Sequence, residues 1–228
     1  MIINRVEPGY PKGLHQLAQH INKPEFSLQF KVFLYSKRHP SRPTPDDIDA
    51  RVTFSGKIQV FHSATTRFYA PSDLCGPCGM YRQRIRCNPS WYGHPRQDTV
   101  FIVVDEDLPG MEGMLIARLH LLFSFKDYET EVEGGDEVQC ALVSWFVPAS
   151  SCRDPDTGMW MVKPEGTRRH RPIQVIPLKS IARGAHLLPK YGTGRLPDSI
   201  THVNALDMFQ TYFVNPYIDH HCHEFLSE

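Results

Sequence analysis

The stretch Lys57-Ile58-Gln59-Val60-Phe61-His62 alternates polar and apolar side chains. An alternation with a period of two places the apolar residues on one face of an extended chain, so this stretch predicts a half-buried β-strand. The change to this period begins near Arg51 and marks the start of a β-rich region. Six more candidate strands follow it along the chain: residues 82–87, 100–104, 115–125, 140–147, 159–162 and 173–177.

Turn signals separate most of these candidate strands, namely Pro109-Gly110, Gly134-Gly135 and Asp156-Thr157-Gly158. Segments long enough for a crossover helix are lacking between them, so the pattern favours a twisted, partly closed antiparallel sheet or barrel over a doubly wound sheet.

Helical patterns flank the β-rich region. Residues 13–21 and 24–35 repeat apolar side chains at helical spacing, and Asn22 with Pro24 supplies a helix-start signal. A proline-rich linker covers 37–49. Near the end of the chain, Asn204 with Asp207 resembles a capping box for a helix reaching Phe213. We therefore expect an α+β protein with N-terminal helices and linker in 1–50, and a main β-rich unit with a C-terminal helical segment in 51–228.

Composition narrows the functional class. The 228 residues include 25 Lys and Arg against 25 Asp and Glu, so the formal net charge is zero. Hydrophobic and charged shares of 41% and 22% are typical of folded proteins. Zero net charge excludes a strongly basic domain, so a polyanion would have to bind a local patch. Without an apolar run of membrane-spanning length or a secretory signal, we expect an intracellular protein, the nucleus included, with reduced cysteines and no membrane partner.

Cys75-Gly76-Pro77-Cys78 matches the redox motif of thioredoxins, in which the first thiolate sits at a helix N-terminus. The context departs from that fold because Ser72-Asp73-Leu74 stands where a tryptophan ends an apolar strand. A thiol–disulfide oxidoreductase is therefore one of the alternatives, and we expect no enzyme activity.

A zinc site is a further alternative. Cys75 and Cys78 have ligand spacing, Cys87 is a candidate third ligand, and His223 from the terminal histidine cluster is a candidate fourth. A second paired ligand motif is lacking, so we expect no obligatory cofactor.

The third candidate site is a basic and aromatic stretch. Arg82, Arg84 and Arg86 alternate and so share one face of a strand. Other members of the candidate site flank them: Tyr81, Trp91, Tyr92 and Arg96. Guanidiniums beside exposed rings suit a phosphate backbone with stackable bases. The alternative is that these arginines form salt bridges with the acid-rich segment 105–137 of the same chain.

Several strings together resemble the C-terminal region of transposon-associated proteins of the Plavaka or KDZ type in mushroom-forming fungi. The resemblance runs over roughly residues 13–225. Its strings include Phe68-Tyr69-Ala70-Pro71-Ser72-Asp73-Leu74, Asp107-Leu108-Pro109-Gly110-Met111, Ala141-Leu142-Val143-Ser144-Trp145-Phe146 and Ala185-His186-Leu187-Leu188-Pro189. The loop after Leu74 is usually rich in Ser and Gly in that family, so Cys75-Gly76-Pro77-Cys78 departs from it.

The resemblance implies a domain associated with a transposase-like region, in cis or in trans, without an established activity of its own. Strands ending at Val143-Ser144-Trp145-Phe146 are also similar to bromo-adjacent-homology domains of chromatin proteins at the level of fold. We therefore expect a non-catalytic module that binds nucleic acid or chromatin. The alternatives are a structural or protein-interaction domain, an inactive relic, and the thiol oxidoreductase.

Overall fold

A computed structural model describes residues 1–70, 77–129, 135–168 and 170–227 of the chain. The helices are α1 (Leu14–His20), α2 (Phe26–Arg38), α3 (Ile48–Arg51), α4 (Ala205–Met208) and α5 (His220–Ser227). The strands are β1 (Ile2–Ile3), β2 (Ile58–Phe61), β3 (Ser63–Tyr69), β4 (Met80–Trp91), β5 (His94–Gln97), β6 (Thr99–Val103), β7 (Met114–Asp127), β8 (Asp136–Pro148), β9 (Met161–Pro164), β10 (Ile173–Pro177), β11 (Ile181–Ala185), β12 (Leu187–Pro189) and β13 (Tyr212–Val214).

Two long antiparallel strands, β7 and β8, form the centre of the larger sheet. The outer edge of β7 pairs with β6 along its first half and with β2 along its second half. The outer edge of β8 pairs first with β10, at residues 140–144, and then with β9, at residues 146–148. Strands β11, β12 and β13 complete a nine-stranded, nearly closed sheet. This arrangement confirms the predicted α+β class with a partly closed antiparallel sheet.

The N-terminal helices cover one face of this sheet. Phe26 and Phe30 of α2 are fully buried, with ring centres 5.3 Å from Phe123 and 4.8 Å from Phe125 respectively. Burying four phenylalanine side chains stabilises the fold by several kcal/mol, roughly 1.5–3 kcal/mol for each side chain. Residues 1–50 therefore pack against the β-rich part through a shared hydrophobic core.

A smaller sheet, in the order β1-β3-β4-β5, lies against a second core. Its inner side contributes Ala64, Ile85 and Cys87, all of which are buried. Strand β3 follows β2 after the single residue His62, so the chain passes from one sheet to the other at that point. Each sheet thus has one face toward the core, and the smaller sheet exposes its other face.

The C-terminal prediction is wrong in part. The helix expected from Asn204 to Phe213 ends after α4, and Tyr212 belongs to strand β13. Tyr212 is fully buried, pairs with Val162 across β9, and donates its hydroxyl to the carbonyl of Ala205. These tertiary contacts outweigh a weak local preference for helix.

Two predicted caps also differ. The side chain of Asn204 accepts a hydrogen bond from the backbone N–H of Thr201 rather than capping α4. Asn22 has a φ of 53°, a left-handed conformation that suits the end of α1, whereas Glu25 precedes α2. Among the helices of the described ranges, none is long and apolar enough to cross a bilayer.

Candidate nucleic-acid interface

The exposed face of the smaller sheet carries five arginines. Arg82, Arg84 and Arg86 alternate along β4 and share its outer side. Arg67 of β3 lies directly opposite Arg82, and Arg96 of β5 lies opposite Asn88, two residues after Arg86. Residues opposite each other in an antiparallel pair project to the same side of the sheet. These five residues, Arg67, Arg82, Arg84, Arg86 and Arg96, are called the arginine face below.

Burial of the inner side of β4 fixes the direction of this face. Ile85 and Cys87 have exposed fractions of 1% and 6% and pack in the second core. Gln83, also on the inner side, accepts a hydrogen bond at 2.8 Å from the backbone N–H of Gly184 in β11. A register shift of one residue would move the arginines into this core, so burial strongly specifies which side faces out.

Trp91 orders one end of the arginine face. The guanidinium of Arg86 lies 4.5 Å from the centre of the Trp91 ring, and that of Arg96 lies 5.8 Å from it. Asp98 accepts hydrogen bonds from Nε of Arg96 at 2.8 Å and from the backbone N–H of Arg86 at 2.9 Å. Partial burial and the charge of Arg96 lower the pKa of Arg86, although an arginine remains charged at neutral pH.

Within the described ranges, Asp98 is the acid that forms a salt bridge with this face. Four of its five arginines, all except Arg96, form no salt bridge there. The acids of the 105–137 segment that form salt bridges do so with α2 instead: Asp127 and Glu129 with Arg38, and Asp136 with Lys37. The acid-rich segment therefore pairs with α2 and not with the arginine face.

Two further arginines, Arg168 and Arg171, do not extend the face. Arg171 is 3.0 Å from a carboxylate oxygen of Asp207, which also binds Arg118. The Arg168 guanidinium lies 2.7 Å from the sulfur of Met208. These side chains are used in contacts with α4 instead.

The aromatic residues of the predicted site are divided by the sheet. Tyr81 lies on the inner side of β4, where its ring stacks on Phe68 at 5.4 Å, so grouping it with the arginines was wrong. Tyr92 lies at the tip of the β4–β5 hairpin and is 88% exposed. At the opposite end of the face, Tyr69 of β3 is 63% exposed. The sequence analysis did not include Tyr69 and Arg67. Alternation along a strand would have placed both of them on the same side, with Phe68 on the other.

Of the cysteines in the candidate redox and zinc sites, the structure describes Cys78 and Cys87. Cys75 lies outside the described residues. Cys78 has a φ of 56° within the single 3₁₀ turn Pro77–Gly79, which leads directly into β4 rather than into an α-helix. Its thiol therefore has no helix N-terminus to stabilise a thiolate.

Cys87 and His223 were the remaining zinc candidates. Cys87 lies seven residues of strand beyond Met80, about 23 Å at 3.3 Å per residue, so Cys78 and Cys87 cannot bind one ion. Burial raises the pKa of the Cys87 thiol to about 12. His223 in α5 stacks on Tyr217 with ring centres 5.7 Å apart. Over the described part of the chain, no three His, Cys, Asp or Glu residues are grouped to hold a metal ion.

A cavity of about 280 Å³ lies between the end of α1 and strands β4 and β7. The sequence analysis did not predict it. His120 occupies a β-bulge between Leu119 and Leu121, with Nε2 2.9 Å from Oγ of Ser144. Burial lowers the pKa of His120 to about 3, so its imidazole is neutral. Tyr10 also lines the cavity, and burial raises the pKa of its hydroxyl.

The cavity is lined largely by uncharged polar groups, with Glu7 3.6 Å from its lining residue His62. Its residues are far apart in the sequence, and the break in alternation at His120 was the only local signal.

In comparisons with known proteins, no family model, no curated protein and no solved structure matches the chain, so the candidate interface is defined by its own geometry.

Proposed function

We propose that the protein binds nucleic acid through the arginine face, without catalytic turnover. The observation that carries this proposal is the arginine face itself, where four of five guanidiniums form no salt bridge within the described ranges. Leaving so many like charges on one small surface destabilises it by mutual repulsion, and a polyanionic ligand relieves that repulsion.

The geometry suits phosphate groups. Alternate residues of a strand are about 6.6 Å apart, so Arg82, Arg84 and Arg86 form a row of evenly spaced donors. Each guanidinium can donate two parallel hydrogen bonds to one phosphate. Because phosphate contacts carry no sequence information, we expect binding that tolerates many sequences and weakens steeply with salt.

The family resemblance supplies a setting for this activity as part of the proposal. A module that holds nucleic acid, free or in chromatin, would keep a transposase-like region close to its substrate. In that setting the binding surface supplies local concentration rather than chemistry.

A charge-matched pair of variants tests the proposal. In the first variant, Arg82, Arg84 and Arg86 are replaced together by Gln. In the control, Lys57, Lys126 and Lys163 are replaced by Gln; these lysines are exposed on or beside strands of the larger sheet. Fluorescence anisotropy with labelled oligonucleotides should show at least tenfold weaker binding for the first variant and little change for the control. Equal loss in both variants would show that only net charge matters and would overturn the proposal.

Two other classes of function predict different results. A protein-interaction or structural module predicts no nucleic-acid binding even at low salt. A thiol–disulfide oxidoreductase predicts reduction of insulin disulfides that disappears in Cys75→Ser. In the described half of that motif, Cys78 lies in a 3₁₀ turn that leads into β4, so its thiol is not at the N-terminus of an α-helix.

A further inference from the structure

We propose that the preferred ligand is single-stranded nucleic acid whose bases stack on Tyr92 and Tyr69, one at each end of the arginine face. This inference rests on the proposed function and specifies its ligand. It follows from the turn at Tyr92, the position of Tyr69, and the length of strand between the two residues.

The hairpin turn holds Tyr92 in a conformation that its residue type does not favour. Trp91 pairs with His94, so Tyr92 and Gly93 form a two-residue turn, and their φ values of 52° and 84° are those of type I′. Asn, Asp or Gly normally occupies the first of these positions, because a bulky side chain is strained at positive φ. The tyrosine thus adds nothing to turn formation.

The ring of Tyr92 is available to a ligand, whereas that of Trp91 is engaged. Tyr92 is 88% exposed and contacts Trp91 with ring centres 5.0 Å apart, so most of its ring is open to solvent. Trp91 is half-buried and has the Arg86 guanidinium over its ring. An exposed aromatic ring held in a strained turn beside a row of guanidiniums is a stacking platform for a base.

Tyr69 provides the second platform. It lies two residues beyond Arg67 on β3 and so projects to the same side of the sheet. It is 63% exposed and lies opposite Met80, eleven residues of strand before Trp91. An unbroken strand of this length spans about 36 Å, and the bulge between Asn88 and Trp91 shortens it. The two tyrosines are therefore at most about 36 Å apart, or about 11 nucleotides of a stacked strand at 3.4 Å each.

This arrangement discriminates between ligands. A duplex hides its base faces in the stack, and only an unpaired base can lie on a protein ring. A surface that recognised charge alone would favour the duplex, which carries twice as many phosphates per unit length. Preference for a single strand is thus the opposite of what electrostatics alone predicts.

The experiment compares a labelled dT12 strand, a labelled dT4 strand and a 12-base-pair duplex by anisotropy at one salt concentration. We expect the full chain to bind dT12 at least tenfold more tightly than the duplex or dT4. Tyr92→Asn keeps a residue that favours the turn but removes the ring, and should weaken dT12 binding about tenfold. Tyr92→Phe should retain the affinity, and Tyr128→Asn, at a 66% exposed tyrosine outside the smaller sheet, is the matched control.

The outcomes separate this inference from the proposed function. If dT12 and duplex bind equally, or if Tyr92→Asn binds dT12 as tightly as the parent chain, the inference is overturned while arginine-dependent binding stands. If neither probe binds the parent chain at low salt, both proposals fail. If Tyr128→Asn weakens dT12 binding as much as Tyr92→Asn does, the inference is also overturned, because the effect would not be specific to the hairpin tip.

Discussion

The guanidinium of Arg86 lies 4.5 Å from the centre of the Trp91 ring, and the backbone N–H of the same arginine donates to Asp98. The Trp91 ring thus orders the side chain of Arg86. An arginine whose side chain is already ordered loses less conformational entropy when it binds a phosphate.

Removal of the Trp91 ring should weaken nucleic-acid binding indirectly. A cation–π contact at a partly exposed site contributes about 0.5–1 kcal/mol, so we expect Trp91→Leu to reduce affinity about two- to fivefold. In an Arg86→Gln background the same change should have a smaller effect, because the guanidinium that it orders is gone. Equal effects of Trp91→Leu in both backgrounds would contradict this coupling.

Asp127 should make stability depend on acid pH. Burial alone would raise its pKa, but the hydrogen bond and charge of Arg38 outweigh burial and lower it. A lowered pKa in the folded state contributes stability that is present above the unfolded pKa of about 3.9 and is lost as pH falls through the folded value.

We therefore expect Asp127→Asn to reduce the free energy of unfolding by about 3 kcal/mol at pH 7, and by much less near pH 2. Urea denaturation at the two pH values measures both quantities. Asp49→Asn, which breaks an exposed ion pair with Lys31, is the control and should cost less than about 1 kcal/mol. A pH-independent difference between the parent chain and Asp127→Asn would rule out this explanation.

Buried and exposed cysteines should differ sharply in reactivity. Burial raises the pKa of Cys87 to about 12, whereas Cys152 is exposed. We expect iodoacetamide at pH 8 to label Cys152 in the native protein and to label Cys87 only after unfolding in urea. Mass spectrometry of the labelled peptides provides the readout. Labelling of native Cys87 at the rate of Cys152 would show that the smaller sheet does not pack as described.

Arg183 should hold α5 on the fold. It is 1% exposed, and it donates to Nδ1 of His221 at 2.9 Å and to the carboxylate of Asp219. Replacing one partner of a buried charged pair costs about 3–5 kcal/mol, so Arg183→Met should be strongly destabilised. Hydrogen exchange should increase most at residues 220–227, whereas Arg195→Met, at an 88% exposed side chain, should change neither property.

The strands could be predicted where alternation was regular, and the boundary of the smaller sheet could not. The run 57–62 continues directly into β3, and the passage between sheets at His62 leaves no turn residue in the sequence. For that reason β3, with Arg67 and Tyr69, was missed. The side of Tyr81, in contrast, could be predicted. Tyr81 is adjacent to Arg82 on the strand, so alternation already places the two side chains on opposite sides of the sheet.

Other features depend on contacts that only the folded chain makes. The segment around Tyr212 has a helical pattern but forms a strand, because two neighbouring strands and a buried hydroxyl bond fix it there. The cavity at His120 combines residues from α1, β4 and β7, which periodicity cannot bring together. Whether the arginines and the acid-rich segment pair with each other was likewise a question of tertiary structure.

The salt dependence of dT12 binding tests the central claim most directly. If all five arginines of the arginine face contact phosphates, the plot of log affinity against log salt concentration should have a slope of about −3.5. Replacing Arg82, Arg84 and Arg86 by Gln should reduce the magnitude of that slope by about 2, while the triple lysine control keeps the parent slope. A triple arginine variant with the affinity and slope of the parent chain would contradict the account.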